Sequence, residues 1–131
     1  MQTNRSNVDH SQLRKTGNIG EDAVCAFLLR HGYEILNRNF TVRGGEIDII
    51  AKKADMIAFV EVKSRKKGSL TTGEEAVTEG KRRHIITAAE RYFQKLREPC
   101  DCRFDVAVVE LEGAKVTHLK YYVSAFDASH K

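Results

Sequence analysis

The sequence predicts a single α/β domain, and three patterns along the chain predict it. Two segments, residues 16–31 and 79–96, have apolar residues three and four positions apart, which is typical of amphipathic helices. The segments between and after them are rich in β-branched and aromatic residues, which favour strands. The chain has 131 residues, long enough for one domain with a core and too short for two. We expect residues 1 to about 15 to form a loose arm, residues 16–126 the domain, and residues 127–131 a tail.

The first predicted element is the helix at residues 16–31, which Gly32 should close. Glu21 precedes the apolar residues Val24 and Leu28 by three and seven positions. Its side chain should therefore lean toward the buried edge of the helix. From the residues alone, Glu21 fits a metal site and an ordinary acidic residue of a first helical turn equally well.

Strands follow, and charged residues interrupt them. Two short runs, residues 33–36 and 40–43, lead into a pair of glycines. In the next two runs, Asp48 lies among isoleucines and Glu61 lies between valines. Burying an unpaired carboxylate is costly, so these positions predict a compensating partner such as a metal ion.

The spacing of these charges predicts how they are arranged. Side chains alternate along a strand, so Glu61 and Lys63 should lie on one face. A turn centred on residues 54–55 would put Asp48 directly opposite Glu61. Cross-strand neighbours have Cβ atoms roughly 5 Å apart, and two carboxylates that close repel each other unless a cation or proton lies between them. Oxygen ligands favour a hard cation such as Mg²⁺ or Mn²⁺. Lys63 would then point toward a bound phosphate or water.

The alternative is that these charges lie on a solvated face of the sheet. Glu61 and Lys63 would then be an exposed pair worth under about 1 kcal/mol. That interpretation must also explain why apolar side chains share the charged faces, Ile50 with Asp48 and Phe59 with Glu61. The pattern therefore favours metal-dependent phosphate chemistry.

Basic residues cluster in the two segments after the hairpin. Residues 64–73 predict a mobile basic loop near the site entrance, and Arg65 in this loop is placed to hold a phosphate backbone. Lys81, Arg82 and Arg83 fill the first turns of the second helix, where cations oppose the helix dipole. An anion docked on the same turn would make them favourable. A solvated charge run is the other explanation, and beside a metal site we favour phosphate binding.

The rest of the sequence predicts the structural half of the sheet. Pro99 should end the second helix, and residues 103–111 and 116–123 should form two strands. Asp105 lies near the start of the first of these strands. A pair with Arg103 or a turn contact fits that position better than a metal ligand does.

Cysteine usage and charge narrow the class of protein. The three cysteines form neither an even disulfide framework nor a zinc signature, so we expect free thiols in a reducing compartment. The net charge of +4 and the pI near 9.0 suit a polyanionic partner. No apolar run approaches the roughly 20 residues of a membrane span, and the polar start lacks a signal-peptide pattern. We expect a soluble cytoplasmic protein.

The hairpin motifs match a known superfamily. Asp48 together with Glu61-x-Lys63 resembles the signature of the PD-(D/E)xK nucleases. A longer set of motifs resembles the uncharacterised YraN-type family within that superfamily, over residues 17–126. It consists of Gly20-Glu21-Asp22, Gly44-Gly45-Glu46-Ile47-Asp48 and Phe59-Val60-Glu61-Val62-Lys63-Ser64-Arg65. The resemblance implies a restriction-endonuclease-like α/β core, with a mixed central β-sheet flanked by helices, similar to archaeal Holliday-junction resolvases.

The resemblance also implies roles for individual residues. Asp48, Glu61 and Glu21 would bind Mg²⁺ or Mn²⁺, with the backbone carbonyl of Val62 as a further ligand. Lys63 would orient the attacking water or stabilise charge on the phosphate. These roles make the four side chains the expected catalytic set.

Two further residues bear on the resemblance. Lys81 is by resemblance the best candidate for a phosphate contact on the second helix. Ile47 stands where the name of the signature has proline, and this difference touches no ligand.

The function expected from these observations is a Mg²⁺-dependent endonuclease acting on DNA or structured RNA, with branched or junction DNA in repair or recombination as one substrate class. Symmetric cleavage of a four-way junction would need a homodimer. One rival is a non-catalytic nucleic-acid-binding module that kept the nuclease fold. A second rival is a protein-interaction domain with an incidental acidic pocket, which would bind neither metal nor nucleic acid.

Overall fold

The computed structural model describes residues 8–68, 77–98 and 100–128, with side chains in the first helix described from residue 19. Two helices and five strands lie within these described residues. In chain order they are α1 (Val8–Arg30), β1 (Glu34–Val42), β2 (Gly45–Lys53), β3 (Met56–Lys66), α2 (Glu79–Gln94), β4 (Asp101–Glu112) and β5 (Lys115–Phe126).

The five strands form one mixed sheet in the order β1-β2-β3-β4-β5. Neighbouring strands are antiparallel except β3 and β4, which are parallel. Parallel neighbours need a crossover connection, and the connection from β3 to β4 contains α2. The predicted α/β fold with a mixed sheet and flanking helices is therefore confirmed.

The helices cover opposite faces of the sheet. Ile85 and Ile86 of α2 belong to one apolar cluster, and Val24 and Leu28 of α1 belong to the other. Strand β3 contributes to both clusters by alternation. Its buried residues on the α2 side are Ile57 and Phe59, and those on the α1 side are Ala58 and Val60. The face assignment made from period-two alternation is confirmed.

Two-residue turns set the register of the first three strands. Gly44 has a φ of 85°, the left-handed conformation that glycine adopts without strain, in the turn from β1 to β2. The turn from β2 to β3 lies at residues 54–55 and pairs Lys53 with Met56. The second hairpin has the predicted centre, and the first turns at the glycines to which the predicted strand segments lead.

The first helix is longer than its apolar pattern predicts. It begins at Val8 and not at residue 16, so the backbone of residues 8–15 is helical, whereas residues 1–7 lie outside the described residues. Residues 8–15 include no proline to stop a helix, although they lack an apolar stripe. The helix ends as predicted, because the N–H of Tyr33 donates to the carbonyl of Leu28 at 3.0 Å past Gly32.

Segment ends in the second half also differ from the prediction. Strand β3 continues to Lys66, so residues 64–66 lie in the sheet and not in a basic loop, because their backbone pairs with β4. Residues 67–68 form a turn, and the last part of the predicted loop, residues 69–73, lies outside the described residues. Helix α2 ends at Gln94 and Pro99 is outside the described residues, so the predicted role of Pro99 is not tested.

A buried polar cluster joins β4 to β5. Asp105 has no exposed surface, and the Nε of Arg103 lies 3.0 Å from both of its carboxylate oxygens. The Tyr121 hydroxyl donates to the same carboxylate at 2.6 Å, and the backbone N–H of Ser124 donates at 2.8 Å. Burial, followed by the nearby Asp105 charge, raises the pKa of Tyr121. The predicted Arg103–Asp105 pair is confirmed.

Two smaller predictions are also answered by the structure. Cys25, Cys100 and Cys102 are free thiols, as expected. Neither α1 nor α2, the helices within the described ranges, is long and apolar enough to cross a membrane.

Candidate metal and phosphate site

Two glycines bring the helices close to the sheet where the predicted site residues lie. A Cβ atom on Gly20 would overlap the hydroxyl of Ser64 and lie 3.5 Å from Val62, so α1 approaches β3 closely here. A Cβ atom on Gly45 would overlap the carbonyl oxygen of His84 and lie 2.8 Å from the backbone nitrogen of Ala88. Strand β2 therefore touches the backbone of α2. These approaches hold the middle of α1 and the middle of α2 beside the Asp48 hairpin.

Glu61 is the buried acid of the site. Only 4% of the residue is exposed, and its Oε1 is buried without a hydrogen-bond partner among the described residues. Burial and then the neighbouring Asp48 charge raise the pKa of Glu61 to about 8, against an opposing effect of Lys81 and Lys63. A carboxylate in this setting is unstable without a cation or a proton.

Asp48 lies where β2 and β3 separate. The last paired residues before the separation are Ile49 and Val60, and the next position in that register sets Asp48 opposite Glu61. The side chain of Asp48 takes the place of the backbone hydrogen bond that ends where the strands separate, because its Oδ2 accepts from the N–H of Val62 at 2.8 Å. The carboxylate of Asp48 is therefore fixed in orientation next to Glu61.

Glu21 is a further buried acid, and the charge of Asp48 acts on it. Its Oε1 lies 3.3 Å from both Arg38 and Asn39 of β1. Burial, followed by the Asp48 charge, raises the pKa of Glu21 despite these donors. Asn39 has a left-handed φ of 56°, which interrupts β1 beside the site. The acids are thus electrostatically connected through Asp48, with Glu21 turned toward β1.

The described part of the chain contains no group of three His, Cys, Asp or Glu side chains arranged to hold a metal ion. Asp48 and Glu61 are nonetheless close enough for one charge to raise the pKa of the other. The oxygen-only donors and the unpartnered Oε1 of Glu61 fit a hard divalent cation. Lys63 lies on the same strand as Glu61, half-buried, and its charge acts on Glu61.

Lys81 is drawn into this acidic region. Its Nζ lies 3.0 Å from Glu46 and 3.7 Å from Glu61. Burial alone would lower the pKa of Lys81, but the charges of Glu61, Glu46 and Asp48 together raise it. Its place in the first turn of α2 is fixed by the N-cap residue Thr78, which accepts from the Lys81 N–H at 3.2 Å.

The predicted arginines lie around the site in different settings. Arg65 in β3 and Arg82 in α2 each have a buried Nε that finds no hydrogen-bond partner in the described part of the chain, and Arg83 is exposed. The guanidinium of Arg82 lies 5.2 Å from the centre of the Phe126 ring. Arg65 lines a groove of about 260 Å³ at the ends of β3 and β4, away from the carboxylates. The positive charge of each guanidinium group suits an anion.

Three residues of the site were not singled out from the sequence. They are Glu46, which pairs with Lys81, and Arg38 and Asn39, which hold Glu21. Glu46 precedes Asp48 by two positions, so strand alternation pointed to it. Arg38 pairs in register with Ile49, next to Asp48, so the first hairpin would have located it.

Comparisons with known proteins agree with the motifs. The model of a family described as "Uncharacterised protein family UPF0102" matches residues 20–109. A UPF0102 protein of Chlorobium phaeobacteroides is 44% identical over 117 residues, which cover 83% of this chain and 91% of the relative. UPF0102 proteins of Caldicellulosiruptor saccharolyticus and Symbiobacterium thermophilum are each 45% identical, covering 73% and 74% of this chain and 82% and 83% of those proteins. The chain therefore belongs to the uncharacterised family UPF0102, of the YraN type that its motifs resemble.

Proposed function

We propose that the protein is an endonuclease that uses a divalent metal ion to hydrolyse phosphodiester bonds in DNA, with branched or junction DNA in repair or recombination as a substrate class. The observation that carries this proposal is the Glu61 carboxylate, buried with an unpartnered oxygen beside the oriented Asp48 carboxylate. Such a pair is costly in an empty protein interior and is useful when it holds a cation.

The chain's own residues divide the work of hydrolysis. Asp48 and Glu61 would hold Mg²⁺ or Mn²⁺, and Glu21 would complete or orient that acidic set. The bound metal ion would supply a water of lowered pKa and neutralise charge on the scissile phosphate. Lys63, next to Glu61 on β3, places fixed positive charge where the phosphate gains negative charge in the transition state.

Basic side chains on β3 and α2 support a nucleic-acid substrate. Arg65 and Arg82 have buried N–H donors without partners, and Arg83 is exposed on the same turn of α2. Charges of this kind bind phosphates and position a backbone without reading its sequence. A homodimer belongs to the same proposal, because paired cuts in a four-way junction need two sites.

One observation favours a second candidate, a nucleic-acid-binding module without catalysis. Lys81 already lies between Glu46 and Glu61, and an ammonium group there compensates part of the acidic charge without any metal. A binding module with this arrangement would bind nucleic acid in a salt-sensitive manner and would not cut it.

The test compares wild-type protein with Asp48→Asn and Lys63→Ala on labelled duplex, single-stranded, flap and four-way-junction DNA. Each substrate is incubated with Mg²⁺, with Mn²⁺ and with a chelator. We expect cleavage only by the wild type with metal, and binding by all three proteins. Salt-sensitive binding with no cleavage of any substrate would favour the non-catalytic module.

A further inference from the structure

We propose that Lys81 is the built-in counter-ion of the carboxylate site, that Glu46 holds it there, and that a divalent cation must displace its ammonium group from Glu61. The displacement part rests on the metal site of the proposed function. The counter-ion part does not, and the two are tested separately below.

The geometry places Lys81 between two carboxylates of different character. Its Nζ lies 3.0 Å from Glu46, whose side chain is 53% exposed, and 3.7 Å from Glu61, whose side chain is 4% exposed. The shorter contact is thus with the solvated acid. Glu46 supplies a position in which Lys81 remains bound when it loses its contact with Glu61.

The contact with Glu61 differs from an ordinary surface pair in three ways. The Lys81 side chain is largely covered, with 26% exposed. The backbone from which it extends is held by the Thr78 cap and by the close approach of β2 at Gly45. Lys81 also has a larger electrostatic effect on Glu61 than Lys63 has, although Lys63 lies on the same strand as Glu61. The helix therefore delivers a fixed charge to the buried acid.

Competition with a metal ion follows from this placement. Two cations at one carboxylate repel each other strongly where water is excluded. Lys81 should therefore weaken metal binding while stabilising the metal-free site. Once displaced from Glu61, its ammonium group stays beside the site on Glu46, where it can meet a phosphate. Lys81 would in this way be a positioning residue whose contacts depend on the state of the site.

The counter-ion role is tested without metal by a double-mutant cycle. Urea unfolding is measured in chelator at pH 9 for wild type, Lys81→Met, Glu61→Gln and the double variant. With Glu61 present, Lys81→Met should raise the equilibrium constant for unfolding about tenfold. In the Glu61→Gln background the increase should be much smaller, because the effects of coupled neighbours are not additive. Lys115→Met, an exposed lysine in the β4–β5 hairpin, controls for net charge. Equal losses in both backgrounds would overturn the counter-ion role.

The displacement is tested by calorimetric titration with Mn²⁺ alone. Lys81→Met should bind Mn²⁺ about tenfold more tightly than wild type, and Lys115→Met should bind as wild type does. Glu46→Gln should weaken binding in the wild-type background more than in Lys81→Met, if it acts by holding Lys81. Unchanged or weaker binding by Lys81→Met overturns the displacement. Binding by none of these proteins contradicts the metal site and the displacement together, and the chelator cycle still decides the counter-ion role.

Discussion

Replacing Glu61 with glutamine should change how the stability of the metal-free protein depends on pH. The pKa of Glu61 is raised from an ordinary value of 4.5 to about 8, first by burial and then by Asp48. A group whose pKa is higher in the folded protein favours folding when it is protonated. Its contribution is fully present below pH 4.5 and is lost as the pH rises through 8.

The size of the effect follows from the same pKa values. At about 1.4 kcal/mol per pKa unit, the rise corresponds to a few kcal/mol of unfolding free energy between about pH 5 and pH 9. Glutamine has no charge to bury, so Glu61→Gln should lose this pH dependence. The variant should be more stable than wild type at pH 9 in chelator, whereas the two should be close at pH 5.

The assay is urea unfolding in chelator at pH 5, 7 and 9. Glu112→Gln is the matched control, because its side chain is 65% exposed and its ion pair with Lys67 lies on the surface. The difference between wild type and Glu61→Gln should grow with pH, and the difference for Glu112→Gln should stay small. If the unfolding free energies of wild type and Glu61→Gln changed in parallel with pH, the reasoning that Glu61 is a buried and incompletely compensated charge would be refuted.

Three further substitutions test the packing and the chemistry of the site. Gly45→Ala places a Cβ atom against the backbone of α2 and should destabilise the fold by about 1–3 kcal/mol in urea unfolding. Gly80→Ala is the control, because its Cβ atom meets only the end of the Arg83 side chain, at 3.8 Å, and the change should be neutral or stabilising. Asp105→Asn should cost about 3 kcal/mol or more in the same assay, because it leaves the partners of a fully buried carboxylate unmatched. Lys63→Ala should slow cleavage of a DNA substrate by about a hundredfold or more and leave DNA binding intact. Lys115→Ala is the control and should cleave at the normal rate. Cleavage by pure Lys63→Ala at the wild-type rate would remove Lys63 from the mechanism.

The hairpin of β2 and β3 was predictable because its determinants are local. A two-residue turn at 54–55 fixes the pairing, and period-two alternation then fixes which side chains share a face. Asp48 and Glu61 could therefore be set opposite each other from sequence alone. Glu21 was also expected at the buried edge of its helix, because its spacing to Val24 is a helical one.

The pairing of Lys81 with the acids was not predictable in the same way. It depends on α2 crossing β2 at Gly45, a contact between residues far apart in the chain. The sequence indicates only that cations fill the first turn of a helix, and this pattern fits a phosphate site, a solvated face and an ion pair. The contacts of Glu21 with Arg38 and Asn39 were not predictable either. They involve a left-handed backbone at Asn39 within β1, which periodicity does not show.

The start of α1 was missed for a third reason. Residues 8–15 have no apolar stripe, and periodicity was the signal used to place the helix. A continuous helix into this segment needs only that no residue stops it, which is a weak and easily overlooked signal. Apolar periodicity locates the part of a helix that packs on the core, and it does not locate the part that extends beyond the core.

Two buried carboxylates on neighbouring strands show how this fold treats structural and functional acids differently. Asp105 on β4 has Arg103, Tyr121 and the Ser124 N–H as partners, so its charge is fully satisfied by the protein. Glu61 on β3 is nearly as buried, yet one of its oxygens has no partner and its nearest cation is held more closely by an exposed acid. Replacing the carboxyl group with an amide should therefore have opposite effects on stability at the two positions, at pH 9 in chelator. Asp105→Asn should destabilise the protein and Glu61→Gln should stabilise it. Addition of Mn²⁺ should reverse only the second effect, because the protein compensates the charge of Asp105 fully and that of Glu61 only in part, through Lys81.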